Sequence, residues 1–282
     1  MRVDIGSCRL FFDVEGAKLR PDGRQMREVP TLLLLHGGPG ADHSIFKPAY
    51  SKLAEIAQVV YFDHRGDGRS DGRDDAARWK LSQWGDDVKA LCDVLEIERP
   101  IVMGVSFGGY VAMSYALRHP RHPAKLILCS TAASPSKKQI QVEVFERLGG
   151  AEAGAAAKAF LEDPTRDVTR EFRRICGPLY RHSPYDPDVD ARTIWNPRLM
   201  AEFRRGERET MDFLSDLHRI NCPTLVMVGE DDPMTPVPCS EEIVAAMRPE
   251  LVRFERFAGA GHGIVADQPD RFFEVMRIFI AA

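Results

Sequence analysis

Ser106 stands in Gly104-Val105-Ser106-Phe107-Gly108, between the apolar run Ile101-Val102-Met103 and a helix-compatible segment from Tyr110 to Leu117. Strand, sharp turn and helix in that order form a nucleophile elbow, which lifts the serine hydroxyl clear of a sheet at the N-terminus of the next helix. In so tight a turn, side chains two residues either side of the serine would collide, so glycines occupy positions 104 and 108. The serine backbone is then strained by about 1–3 kcal/mol, which the surrounding fold must enforce.

A serine hydroxyl loses a proton as it attacks, so it needs a base, and the base needs a group that fixes its tautomer. His262, between Gly261 and Gly263 after the last apolar strand-like segment, is the only histidine placed that way. For the orienting acid the chain offers Glu230, Asp231 and Asp232, directly after the apolar Cys222–Gly229 run. The Gly-x-x-Asp spacing from Gly229 selects Asp232, with Asp231 in reserve. Serine, acid and histidine follow in the chain order that this elbow architecture uses.

An attacking serine also creates an oxyanion, which needs backbone N–H donors aimed at it. The glycine-rich His36-Gly37-Gly38-Pro39-Gly40 follows the buried run Thr31–Leu35 and leaves such donors unobstructed. Gly38 and Phe107 are the expected donors. In the loop Asp63-His64-Arg65-Gly66-Asp67-Gly68-Arg69-Ser70, Asp63 and Arg65 are expected to brace the neighbouring oxyanion loop and His64 to line the floor.

The elements that must position these groups alternate. Residues 31–35, 58–62, 100–105, 125–130, 222–229 and 251–257 read as strands, and 81–97, 110–117, 239–247 and 270–280 as helices. Strands and helices at this spacing give a parallel, doubly wound sheet. Ser7 to Val14 reads as an edge strand or hairpin followed by a polar loop, and Ser44 to Ile56 as a helix-like segment. From Ser134 to about Asn221 the chain is polar, helix-prone and interrupted by prolines, with a helix over Ala151–Leu161. This predicts a lid over the sheet. Residues 1–133 and 222–282 would form the core domain, and 134–221 a helical cap whose aromatics divide between its own core and the pocket wall.

Composition narrows the classes. The 282 residues are 44% hydrophobic with a net charge of −4, enough for one large core and without the basic blocks that nucleic acid or an anionic membrane would require. No run is long and apolar enough to span a bilayer, and the N-terminal residues lack the apolar core of a signal peptide, so a cytoplasmic enzyme is expected. Six scattered cysteines suit reduced packing residues better than disulfides or a zinc site. His119 and His122, between prolines, are read as a surface turn rather than metal ligands. No metal or cofactor is expected.

The loops 36–40, 63–70, 104–109, Gly229–Asp232 with Thr235-Pro236, and Gly261-His262 together resemble the α/β-hydrolases, and within them the proline iminopeptidase-like branch. That resemblance implies an α/β fold with a mostly parallel eight-stranded sheet flanked by helices and a helical cap between strands six and seven. It also implies the triad Ser106, Asp232 and His262. The chain departs from the branch at Phe107, where tryptophan is usual, and at His64, where glutamine is usual.

The activity implied is hydrolysis of a small-molecule amide or ester through an acyl-enzyme, led by a proline iminopeptidase-like aminopeptidase or amidase. A carboxylesterase or lactonase is the alternative, and a non-catalytic small-molecule receptor the rival from another class. An aminopeptidase must place carboxylates around a cationic amine. The cap offers Glu202, Glu207 and Glu209, with Glu207 preferred, and Trp195 and Tyr185 are candidate pocket aromatics.

Overall fold

A computed structural model describes residues 1–135 and 137–282. Its strands are β1 (Arg2–Asp4), β2 (Arg9–Glu15), β3 (Leu19–Asp22), β4 (Gln25–Glu28), β5 (Thr31–Leu35), β6 (Gln58–Phe62), β7 (Ile101–Val105), β8 (Lys125–Cys129), β9 (Thr224–Gly229) and β10 (Val252–Phe257). Eight of them form one sheet in the order β1-β2-β6-β5-β7-β8-β9-β10. The β1–β2 and β2–β6 pairs are antiparallel and the rest parallel. The polar loop after β2 holds a separate hairpin of β3 and β4, almost wholly exposed, which lacks the alternating apolar pattern that would have marked it.

The central strands are apolar throughout because both faces are covered: every residue of β5 and of β9 is buried. On one face α1 (Leu81–Val94), α2 (Phe107–Arg118) and α8 (Val237–Ala246) contribute Trp84, Leu91, Val111, Tyr115 and Ile243 to the larger core. On the other, α10 (Pro269–Ala281) and the short α9 (Ile264–Asp267) bring Phe272, Met276 and Ile264 against Leu34, Met103 and Met227. The segment expected as one helix over 44–56 is instead two short 3-10 turns, His43–Phe46 and Ser51–Glu55, with Pro48 between them. All six cysteines are free, and burial pushes the Cys92, Cys129 and Cys239 thiols up to about 12.

Between β8 and β9, the sixth and seventh strands of the sheet in chain order, lie α3 (Lys138–Glu162), α4 (Arg166–Cys176), α5 (Pro187–Arg192), α6 (Pro197–Arg205) and α7 (Glu207–Thr210). The first two helices share a small core of Phe145, Ala153, Ala157, Phe160, Phe172 and Cys176. The later part does not stand apart: Leu199, Phe203, Met211 and Leu217 belong to the larger core of the sheet. Asn196 starts α6 by accepting the Leu199 N–H, donates its side-chain amide to the Gly66 carbonyl at 2.7 Å, and gives its backbone N–H to Gly40 O at 2.7 Å. Helix α6 is therefore tied to the oxyanion loop and the 63–70 loop together.

Register fixes where function can sit. Leu35 pairs with Gly104, Val105 with Cys129, and Phe257 with Gly229, so the loops after five neighbouring strands emerge at one edge. Ligands bind at that carboxyl edge in open α/β sheets.

Candidate active site

Ser106 directly follows β7 and precedes α2, with φ 55° and ψ −118°, outside the regions L-residues favour. The strain is held by neighbours: Ser106 N donates to Cys129 O at 3.0 Å, and the Thr131 hydroxyl donates to Ser106 O at 2.8 Å. A Cβ on Gly104 would lie 2.2 Å from Gly108 O, and one on Gly108 would lie 2.0 Å from Leu35 O. Both glycines are thus required for the turn to close against β5.

Asp232 is buried, and its carboxylate accepts from Met234 N (2.8 Å), Thr235 N (2.9 Å) and the Thr235 hydroxyl (2.8 Å). Its remaining partner is His262 Nδ1, 2.8 Å from Oδ2 and 3.0 Å from Oδ1. The loops carrying Asp232 and His262 are packed directly together: a Cβ on Gly229 would lie 2.1 Å from Gly261 O, and Asp231 N donates to Ala260 O at 2.9 Å. His262 is also held from the segment between β8 and β9, its backbone N–H donating to Tyr180 O at 2.7 Å.

Asp231 points elsewhere. Its carboxylate receives Arg147 at 2.7 Å and His182 at 3.0 Å. Burial pushes the Asp231 carboxyl up, but those two hydrogen bonds outweigh it and leave the group below its ordinary value.

Asp63 and Arg65 anchor the oxyanion side. Asp63 accepts the His43 backbone and ring nitrogens and the Arg69 N–H, and buried Arg65 is bidentate to Asp87 at 2.8 and 2.6 Å. Asp42, His43 and Asp63 lie close enough to ligate a cation, yet the Arg69 guanidinium already sits on Asp42 at 2.9 Å. His64 packs edge-on to Phe107, with centroids 5.6 Å apart, and burial holds its imidazole well below its ordinary value. His119 has the Asp86 carboxylate beside it at 2.9 Å, brought there by the packing of α1 on α2.

A cavity of about 260 Å³ opens onto Ser106 and is lined jointly by Gly38, Ser106, Phe107 and Thr235. Its apolar wall includes Tyr110, Phe160, Phe203 and Met234, and its charged lining is Lys138, Glu162, Arg204, Arg205, Arg208 and Glu209.

The family model described as the alpha/beta hydrolase fold matches residues 30–269. The chain belongs to the alpha/beta hydrolases. A proline iminopeptidase, PfmaB, of Pestalotiopsis fici is 29% identical over 95% of this hydrolase and 97% of the relative. A putative carbamate hydrolase, RutD, of Caulobacter vibrioides is 27% identical over 99% of this chain and 98% of its own. Among solved structures, the proline iminopeptidase of Mycobacterium smegmatis superposes with a TM-score of 0.77 at 23% identity, covering 100% of this chain and 97% of the other. The resemblance read from the loops thus recurs in whole-chain relatives.

Of the glutamates proposed for an amine, Glu209 lines the cavity at Ser106, whereas Glu202 and Glu207 lie elsewhere in the hydrolase. Glu207 accepts the Leu81 N–H at 2.7 Å, capping α1 where the helix dipole favours an anion, and burial pushes its carboxyl up. Glu202 pairs with Arg198 at 2.8 Å, and both glutamates line a separate depression with Trp79 and Lys80. Tyr185 is exposed beneath Arg181, and Trp195 lies under Arg173; the cavity at Ser106 is lined by others. Nothing in the sequence singles out Arg204 and Arg208, which are interspersed with glutamates along the chain. The break between α6 and α7 at Gly206 turns the two glutamates and the two arginines to different sides.

Proposed function

We propose that this hydrolase cleaves a small-molecule ester or amide through an acyl-enzyme, with Ser106 as nucleophile, His262 as general base and Asp232 as its orienting acid. The observation that carries the reading is the 2.8 Å contact of His262 Nδ1 with a buried, fully hydrogen-bonded Asp232, whose partner Thr235 lines the same cavity as the strained Ser106. Ser106 Oγ attacks the carbonyl carbon as His262 Nε2 takes its proton, and Asp232 holds Nδ1–H so that this nitrogen is free. The Gly38 and Phe107 N–H groups receive the oxyanion, each worth roughly a hundredfold or more in rate. His262 then returns the proton to the leaving oxygen or nitrogen, and water, deprotonated by the same base, releases the acid.

Within that chemistry the charge around Ser106 supports an ester or lactone over a free amine, since four cations and two carboxylates line the cavity. The aminopeptidase reading is kept as the second because a proline iminopeptidase is similar along nearly the whole chain; in it Glu209 or Glu162 would meet the amine. Residues 134–221 act in both readings as the cap that shapes the pocket.

The test is fluorophosphonate labelling, read by mass spectrometry, beside turnover of p-nitrophenyl acetate, a simple lactone, and prolyl and alanyl arylamides. Labelling on Ser106 with ester or lactone cleavage is the expected result. A folded, unlabelled protein would overturn the serine mechanism in favour of a receptor, and arylamide cleavage alone would put the aminopeptidase reading first.

A further inference from the structure

The charges lining the cavity are not evenly shared. Glu162, Glu209 and Arg205 are exposed, and Lys138 pairs with Glu209 at 3.2 Å, so two cations and two carboxylates balance around the mouth. Arg204 and Arg208 remain, both partly buried. Arg204 lies with its guanidinium 4.4 Å from the Phe160 ring centroid, and Arg208 lies 5.2 Å from that of Tyr110 while donating to Ser134 O at 3.0 Å. Neither forms an ion pair with a carboxylate among the described residues. The groups that act most on Arg204 after burial are the Tyr180 and Tyr110 hydroxyls and the like-charged Arg173 and Arg208.

Arginine cannot shed its proton to relieve this crowding. Burial pushes the Arg204 guanidinium down from its ordinary value, but the group remains a cation facing other cations. Removing a charge from water without a partner is costly, so such a site gains free energy when an anion enters. The site is also preformed. Phe203, beside Arg204 on α6, is packed against Phe107 with centroids 5.0 Å apart, and α6 is fastened through Asn196 to Gly40 and Gly66. The guanidinium is therefore fixed relative to the serine elbow rather than carried on a loose surface helix.

We infer that the substrate carries a carboxylate at the end remote from its scissile carbonyl, and that Arg204 and Arg208 pair with it as the specificity-determining residues of the cavity. The apolar wall of Tyr110, Phe160, Phe203 and Met234 then covers the chain between the two ends. The substrate class is a half-ester of a dicarboxylic acid, or a lactone bearing a carboxylate. This rests on Ser106 being the nucleophile.

The probe pair is the mono-p-nitrophenyl ester of glutaric acid and p-nitrophenyl valerate, which share chain length and leaving group and differ in the terminal charge. With spontaneous hydrolysis subtracted, kcat/KM should favour the charged ester by about tenfold or more, the scale of a charge-assisted hydrogen-bonded pair. Arg204→Gln should erase that ratio, Arg204→Lys should retain part of it, and added salt should shrink it in the wild type. A wild-type preference for the neutral ester, or a ratio unchanged in a folded Arg204→Gln protein, overturns the inference. Ser106→Ala separates the two claims. If that variant still hydrolyses both esters, the nucleophile assignment fails. Glutarate should still raise its melting temperature, and should no longer do so once Arg204→Gln is added.

Discussion

The cradle at the carboxyl edge of the sheet and the cap above it build the same cavity by opposite means. In the cradle, position is set by backbone: Gly108 lets α2 close against Leu35, Gly229 lets the acid and base loops touch, and Asp232 is held by two main-chain N–H groups before His262 is added. In the cap, position is set by side chains that reach back to the body, as Asn196 does to Gly66, Glu207 to Leu81 and Arg147 to Asp231. Backbone constraints leave little choice of residue, whereas side-chain tethers leave the neighbouring positions free. On the proposed function, the first region would fix the reaction and the second the substrate.

The widest test of this division sets the adjacent acids against each other. Asp232→Asn should lower kcat for ester hydrolysis by about 10⁴-fold, because a neutral amide no longer holds the imidazole in the productive tautomer. Asp231→Asn weakens a tie between α3, the 181–183 segment and the loop after β9 that carries both acids, and should cost stability at the cap with kcat within severalfold of wild type. Steady-state kinetics on p-nitrophenyl acetate with both proteins checked for folding decides it. Equal losses would mean that cradle and cap are not separable.

What could be read from the residues follows the same boundary. Buried parallel strands such as Thr31–Leu35 and Thr224–Gly229 announce themselves as apolar runs, and the loops after them carry glycines that only a close approach explains. Ser106, Asp232 and His262 were therefore legible as candidates, as was the insertion between β8 and β9. The cap's inner face was not. Along residues 202–209 the order of charges is compatible with any rotation of the chain, and only the turn at Gly206 sends Glu207 to α1 while Arg204 and Arg208 line the cavity. The β3–β4 hairpin was equally hidden, since its residues are exposed on both faces.

In the 63–70 loop of the cradle, His64 Nδ1 and the Asp67 carboxylate break the pattern of satisfied groups, and Asp67 sharpens the comparison through pH. Asp67 is fully buried in the 63–70 loop, and its carboxylate oxygens lack a well-formed hydrogen bond among the described residues. Burial raises its carboxyl well above the ordinary value, Asp63 and Asp42 add to the rise, and the Gly40 N–H and Arg73 oppose it. An acid raised in the folded state binds more protons there than in the unfolded chain. Its contribution to stability is thus present below the unfolded value near 3.8 and declines as pH climbs toward the folded one. Asp67→Asn removes that decline, so the stability of the variant relative to wild type should grow from pH 4 upward. Urea denaturation at several pH values reads it, and a difference that stays constant with pH would show Asp67 to be partnered.

The smallest effect is the most diagnostic of the cap. Glu207 was the glutamate best suited by sequence to bind an amine, but its carboxylate caps the first turn of α1 through the Leu81 N–H at 2.7 Å. Glu207→Gln keeps an acceptor there and removes a charge that the helix dipole favours and burial opposes, so stability should change by less than about 1 kcal/mol. The melting temperature should stay close to wild type and kcat/KM for ester hydrolysis within about twofold. If the variant instead raised KM for a prolyl arylamide tenfold or more with its melting temperature unchanged, Glu207 would have to turn toward the pocket when substrate binds. The cap would then supply a carboxylate as well as cations, and its side-chain tethers would be movable parts rather than fixed ones.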